Sequence, residues 1–215
     1  MPAPARARLF IPKDQDIRQA LKQRLEGEFP EGLVVEELAM KHGDYRVDVA
    51  VVGDRLHGYE IKSDADTLKR LPDQAKQFSL VFHRLTLVVG PEHLAGALGI
   101  VPKWWGVVLA VRDGFGGVGL QAIREATENP KPNYRWVARL LWRDELCAIL
   151  KAHGHGAGLR KLKYWQVANR CLEVFTPEEL TALVTAQLRV RKGAEPEAPD
   201  EPDEDYEPTD YSTWD

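Results

Sequence analysis

The chain has 215 residues, 44% hydrophobic and 29% charged, enough to bury a core and stay dissolved, with no apolar run long enough to cross a membrane. The net charge of −4 conceals a split. Residues 194–215 carry ten acidic residues, four prolines and no Lys or Arg; removing those ten from 33 acids leaves 23 against 29 Lys and Arg, a body charge of +6. A basic body suits a polyanionic partner. The acidic tail is expected to be disordered, and a competing role over a basic groove predicts tighter DNA binding at low salt when it is deleted.

The first eight residues put two arginines among alanine and proline with no apolar stretch behind them, so they do not read as a secretory signal. Cys147 and Cys171 stand singly, which excludes a disulfide framework or cysteine zinc cluster and points to the cytoplasm.

Ile17, Leu21, Leu25 and Phe29 recur every fourth residue, with Asp14 and Asp16 leading, which predicts an amphipathic helix. Three strands follow, at Leu33–Leu38, Arg46–Val52 and His57–Lys62, the first pair separated by a turn at 42–44. Residues 63–66 offer capping side chains, Pro72 suits a first helical turn, and Ala75, Phe78 and Phe82 mark the buried face of a helix ending near His83. Leu85–Val89 reads as a buried parallel strand, 92–98 as a short helix, and Gly106–Val111 as another strand. The order α-β-β-β-α-β-α-β predicts an α/β fold with a mixed sheet.

From about residue 134 the spacing turns helical, and Thr176-Pro177-Glu178-Glu179 is a helix start. The expected organisation is a core over 1–130, a helical module over 131–193 and a tail over 194–215. Gly114–Gly119 fits G-x-G-x-x-G, but it lies after the fifth strand instead of the first, and reads as a loop or hairpin. His153 and His155 lack further ligands at metal spacing. Arg160, Lys161, Lys163, Tyr164, Trp165 and Arg170 combine charge with aromatics, which suits either a nucleic-acid surface or a solvated helix with Trp165 in the core.

Candidate chemistry lies in the second and third strands. Glu60 and Lys62 are two apart and share a strand face; Asp48 is a lone carboxylate in an apolar strand, costly to bury without a partner. If the strands pair antiparallel, Asp48 and Glu60 can lie side by side, and a hard divalent cation would relieve their repulsion, with Lys62 adding a point charge.

Asp48 followed by Glu60-Ile61-Lys62, within Arg46–Ala50 and Leu56–Leu71, resembles the PD-(D/E)XK nuclease superfamily, of restriction-endonuclease-like fold. The residue before the aspartate is Val47 where that pattern has proline. The resemblance implies a metal-dependent nuclease hydrolysing DNA, or alternatively a catalytically inactive nucleic-acid-binding module that retains the fold, together with a core ordered α-β-β-β-α-β and Mg²⁺ (or Mn²⁺) held by Asp48, Glu60, Glu37 and Ile61. It further implies Lys62 as catalytic lysine, Gln74 as an accessory polar residue, Glu36 as the alternative to Glu37, and a homodimer as the arrangement many such enzymes use to cut two strands.

Overall fold

The computed structural model describes residues 12–40 and 43–191. The tail and part of the 42–44 turn therefore lie outside the described residues. The elements are α1 (Asp14–Glu28), β1 (Leu33–Met40), β2 (Tyr45–Val52), β3 (Leu56–Lys62), α2 (Leu71–Ser79), β4 (Arg84–Val89), α3 (Leu94–Leu98), β5 (Gly106–Arg112), β6 (Val118–Arg124), α4 (Tyr134–Ala138), α5 (Arg143–Ala152), α6 (Tyr164–Val174) and α7 (Pro177–Arg191).

The fold is α/β, as its alternation of periods predicts. Six strands form one mixed sheet in sequential order, with β3, β4 and β5 parallel and the remaining neighbours antiparallel. No helix among the described residues is long and apolar enough to cross a membrane.

Each sheet face has its own core. Ile17, Leu21 and Leu25 of α1, all nearly inaccessible, pack on Val49, Val51, Tyr59 and Ile61. The opposite face takes α2 and the C-terminal helices, where Leu71, Phe78, Trp105, Leu146, Val167 and Val184 join strand residues such as Leu87 in one cluster. The helical region from residue 134 thus shares the sheet's core.

Four local expectations change. Phe29 follows α1 as its partly exposed C-cap, because Pro30 ends the helix there. Phe82 is buried, but it follows α2, which stops at Ser79. Residues 63–66 cap no helix: Asp66 accepts from the Ser63 N–H and hydroxyl, and Asp64 accepts from the Glu92 N–H. The fourth is an added strand, β6, which follows the glycine loop; that loop is the hairpin turn expected of it, with Asp113 accepting from the N–H groups of Phe115 and Gly117.

The strand ends beside Asp64 tolerate no added bulk. Gly90 donates its N–H to the Lys62 carbonyl at 2.9 Å, and a Cβ there would lie 2.1 Å from Asp64 Oδ1 and 2.9 Å from its backbone nitrogen. Gly90→Ala is therefore expected to destabilise the chain by about 1–3 kcal/mol in chemical denaturation, the usual range for overpacking.

Candidate functional site

The site sits where β2 and β3 separate. Their ladder runs from Val52↔Leu56 to Val49↔Tyr59 and stops, while β3 continues alongside β4 to Lys62↔Val89. The strand ends thus part around Asp48 and Glu60. Asp48 Oδ2 accepts the Ile61 N–H at 2.6 Å, supplying the partner that the ended ladder no longer provides.

Asp48 is also held from α1. Arg18 donates to Asp48 Oδ1 and to the Asp48 carbonyl, both at 2.8 Å, and reaches Glu37 Oε1 at 2.6 Å and Asp14 Oδ1 at 3.3 Å. Burial opposes the Arg18 charge, but Asp48, Asp14 and Glu37 outweigh it and raise its pKa above the ordinary guanidinium value. Burial likewise raises the pKa of Asp48, against the pull of the Ile61 N–H, Arg18 and Lys62.

Glu60 is 1% exposed. Its Oε1 accepts from Lys62 Nζ and, at 2.5 Å, from Gln74 Nε2 on α2. Burial first, then the charge of Asp48, pushes its pKa up to about 8, although Lys62 and Gln74 favour the ionised form. Glu60 Oε2 and Gln74 Oε1 are both buried without a hydrogen-bond partner.

Asp48, Glu60, Lys62 and Gln74 therefore come together. Glu37 joins them only through Arg18: it is exposed, sits at φ +52° and leaves the β1–β2 ladder at that point, while Glu36 pairs with Lys22. Ile61 contributes its N–H to Asp48 and buries its side chain beneath α1. The expected metal set of Asp48, Glu60, Glu37 and Ile61 is thus not assembled, and no group of three His, Cys, Asp or Glu side chains poised for a metal occurs among the described residues. Arg18 and Asp14 are the members that sequence reading misses. Asp14 reads as a favourable helix start, and no local pattern reveals that the Arg18 side chain reaches from α1 to Asp48 of β2.

The whole cluster sets four carboxyl groups, of Asp14, Glu37, Asp48 and Glu60, against two cations, Arg18 and Lys62. Such a site has room in its electrostatics for a proton or a further cation, with two unfilled acceptor oxygens to receive it.

The family model of bacteriophage P4 protein cII matches residues 13–194. The chain belongs to the bacteriophage P4 protein cII family. Protein cII of Enterobacteria phage P4 is 33% identical to it over 82 residues, or 37% of this chain, and the aligned part spans 31% of that relative. No solved structure matches.

The family match covers the Asp48–Lys62 segment and overturns the resemblance to the PD-(D/E)XK superfamily. The nuclease activity inferred from that resemblance falls with it. The physical reason is that an Asp, then Glu and Lys two apart, is a short pattern that strand alternation readily produces. These residues form a real cluster, but its arrangement does not specify hydrolysis.

Proposed function

We propose that this chain binds nucleic acid with the help of one Mg²⁺ or Mn²⁺ taken up between Asp48, Glu60 and Gln74. The observation that carries this reading is the pair of buried oxygens without donors, Glu60 Oε2 and Gln74 Oε1, inside a cluster with more carboxyl groups than cations. Two carboxylates and an amide oxygen are hard donors. They are too few for an all-protein cage, but Mg²⁺ ordinarily keeps several waters and shares its remaining positions with phosphate oxygens. Bound there, the ion supplies positive charge that can join the acidic cluster to a phosphate. Gln74 presents the amide oxygen, Lys62 holds Glu60 in place, and Arg18 fixes Asp48.

DNA is the proposed partner because the body is basic and because cations stand beside the site. Lys69 and Arg70 form a single 3₁₀ turn leading into α2, one turn before Gln74, and Lys76 follows it; all three are exposed and form no ion pair among the described residues.

Fluorescence anisotropy with a labelled duplex, in Mg²⁺ and then in excess chelator, tests the reading. Affinity should drop at least tenfold on chelation. Replacing both Lys69 and Arg70 by Ala should lower the slope of log affinity against log salt by about 2, near 0.9 for each lost phosphate contact. An affinity indifferent to chelator and to Glu60→Gln would refute the role of the cation.

A further inference from the structure

A second surface, on the C-terminal helices, is unused by the cation site. α6 buries Val167, Ala168 and Cys171 and turns Trp165, Gln166, Asn169 and Arg170 outward. These four, with Leu162 and Glu173, line an open groove of about 340 Å³. Trp165 is half-buried, and unlike Leu162 and Tyr164 it is not packed against the core. An indole left at the surface of a groove forgoes burial that the core offers its neighbours, so it is placed for a flat, apolar partner.

The charge around it narrows that partner. Exposed Arg160, Lys161 and Lys163 lead into α6. Acids are fewer: Glu173 is tied to Arg170 at 2.9 Å, and Asp144 lies beside Arg143, which itself holds the Leu159 and Leu162 carbonyls. Asn169, which lines the groove, has its Oδ1 buried with no donor from the protein. Cations, an aromatic face and an unfilled acceptor along one groove match the phosphate, ring and edge of an unpaired nucleotide.

We propose that this groove binds single-stranded nucleic acid, with one base stacked on Trp165 and its phosphates held by Arg160, Lys161 and Lys163. A base in a duplex is already stacked on both faces, whereas an unpaired base can give one face to Trp165. The inference extends the nucleic-acid reading to a separate surface and needs no metal ion.

The experiment measures anisotropy of a labelled 12-nucleotide oligodeoxycytidylate and of a 12-base-pair duplex with the full chain, in chelator throughout. Trp165→Ala should weaken oligonucleotide binding about tenfold, within the range of one lost base stack, while Trp165→Phe should stay within about threefold of wild type. Replacing Arg160 and Lys161 by Ala should lower the salt slope by about 1.4. The proposal is overturned if the oligonucleotide does not bind, if Trp165→Ala binds as wild type does, or if the duplex binds as tightly with the same dependence on Trp165. A null result for Trp165→Ala beside chelator-sensitive duplex binding removes this groove alone and keeps the cation reading; the reverse pattern removes only the cation.

Discussion

Glu60→Gln should abolish a loss of stability that the wild-type chain undergoes as pH rises from about 4.5 to about 8. The unfolded Glu60 releases its proton near its ordinary value of 4.5, while the folded chain retains it up to about 8. Between those values the native state holds more protons, so stability falls with rising pH by up to about 1.4 kcal/mol per unit and levels off above the folded value. The stabilising preference is fully present below 4.5 and is lost through 8. Burial is the main cause, and the charge of Asp48 adds to it; Asp48 is itself shifted upward, so the two act in the same direction. The cumulative effect is several kcal/mol, large beside the usual net stability of a domain. Gln has nearly the same shape, cannot ionise and can still accept from Lys62. Urea denaturation of both proteins at pH 5, 7 and 9 should show a falling midpoint for wild type and a much flatter profile for Glu60→Gln. Parallel profiles would mean that Glu60 ionises as an ordinary surface carboxylate.

The second large effect concerns the pin between α5 and α7. Glu145 and Arg191 meet at 2.8 Å with side chains only 11% and 5% exposed. Glu145 also accepts the Trp142 N–H at the start of α5 and the Gln187 side chain, while Arg191 donates to the Leu140 carbonyl and stacks over Trp142. Removing one partner of a buried pair costs about 3–5 kcal/mol, because the other is left charged in a poor solvent. Glu145→Ala should sit at the upper end: the guanidinium cannot shed its charge, and the N–H of Trp142 loses its acceptor. In a chain of this size that lowers the melting temperature by about 10–20 °C. Glu145→Ala combined with Arg191→Met should cost less than the single Glu145 change, since no charge then remains unpaired. A double variant less stable than the Glu145→Ala single would contradict this account. The same measurement reports on the helical region as a whole, because one cooperative transition is expected where sheet and helices share a core.

Much of the fold is legible in the sequence because its elements obey simple periods. Ile17, Leu21 and Leu25 announce the buried stripe of α1, and the run Leu85–Val89 announces a strand covered on both faces. β6 is not legible: Val118–Arg124 is only half-buried, lies at the sheet edge and begins inside a glycine-rich turn, so alternation is faint. At the site, Glu60, Lys62 and Asp48 are legible as polar residues in strands that otherwise bury apolar ones. The part played by Arg18 is not, because it depends on how α1 lies across the sheet. The resemblance to a nuclease superfamily, carried by Asp48, Glu60 and Lys62 within Arg46–Ala50 and Leu56–Leu71, does not identify the family; the match over residues 13–194 places the chain in the bacteriophage P4 protein cII family instead.

The proposed cation site is tested most directly by titrating Mn²⁺ into the chain at pH 8.5 and following free Mn²⁺ by electron paramagnetic resonance. One ion should bind per chain, with affinity rising with pH through the titration of Glu60 near 8. Glu60→Gln and Asp48→Asn should each weaken it at least tenfold, while Glu37→Gln, whose carboxylate is turned to Arg18, should change it little. Mn²⁺ that binds wild type and Glu60→Gln alike, or fails to bind the folded wild-type chain, would contradict the account.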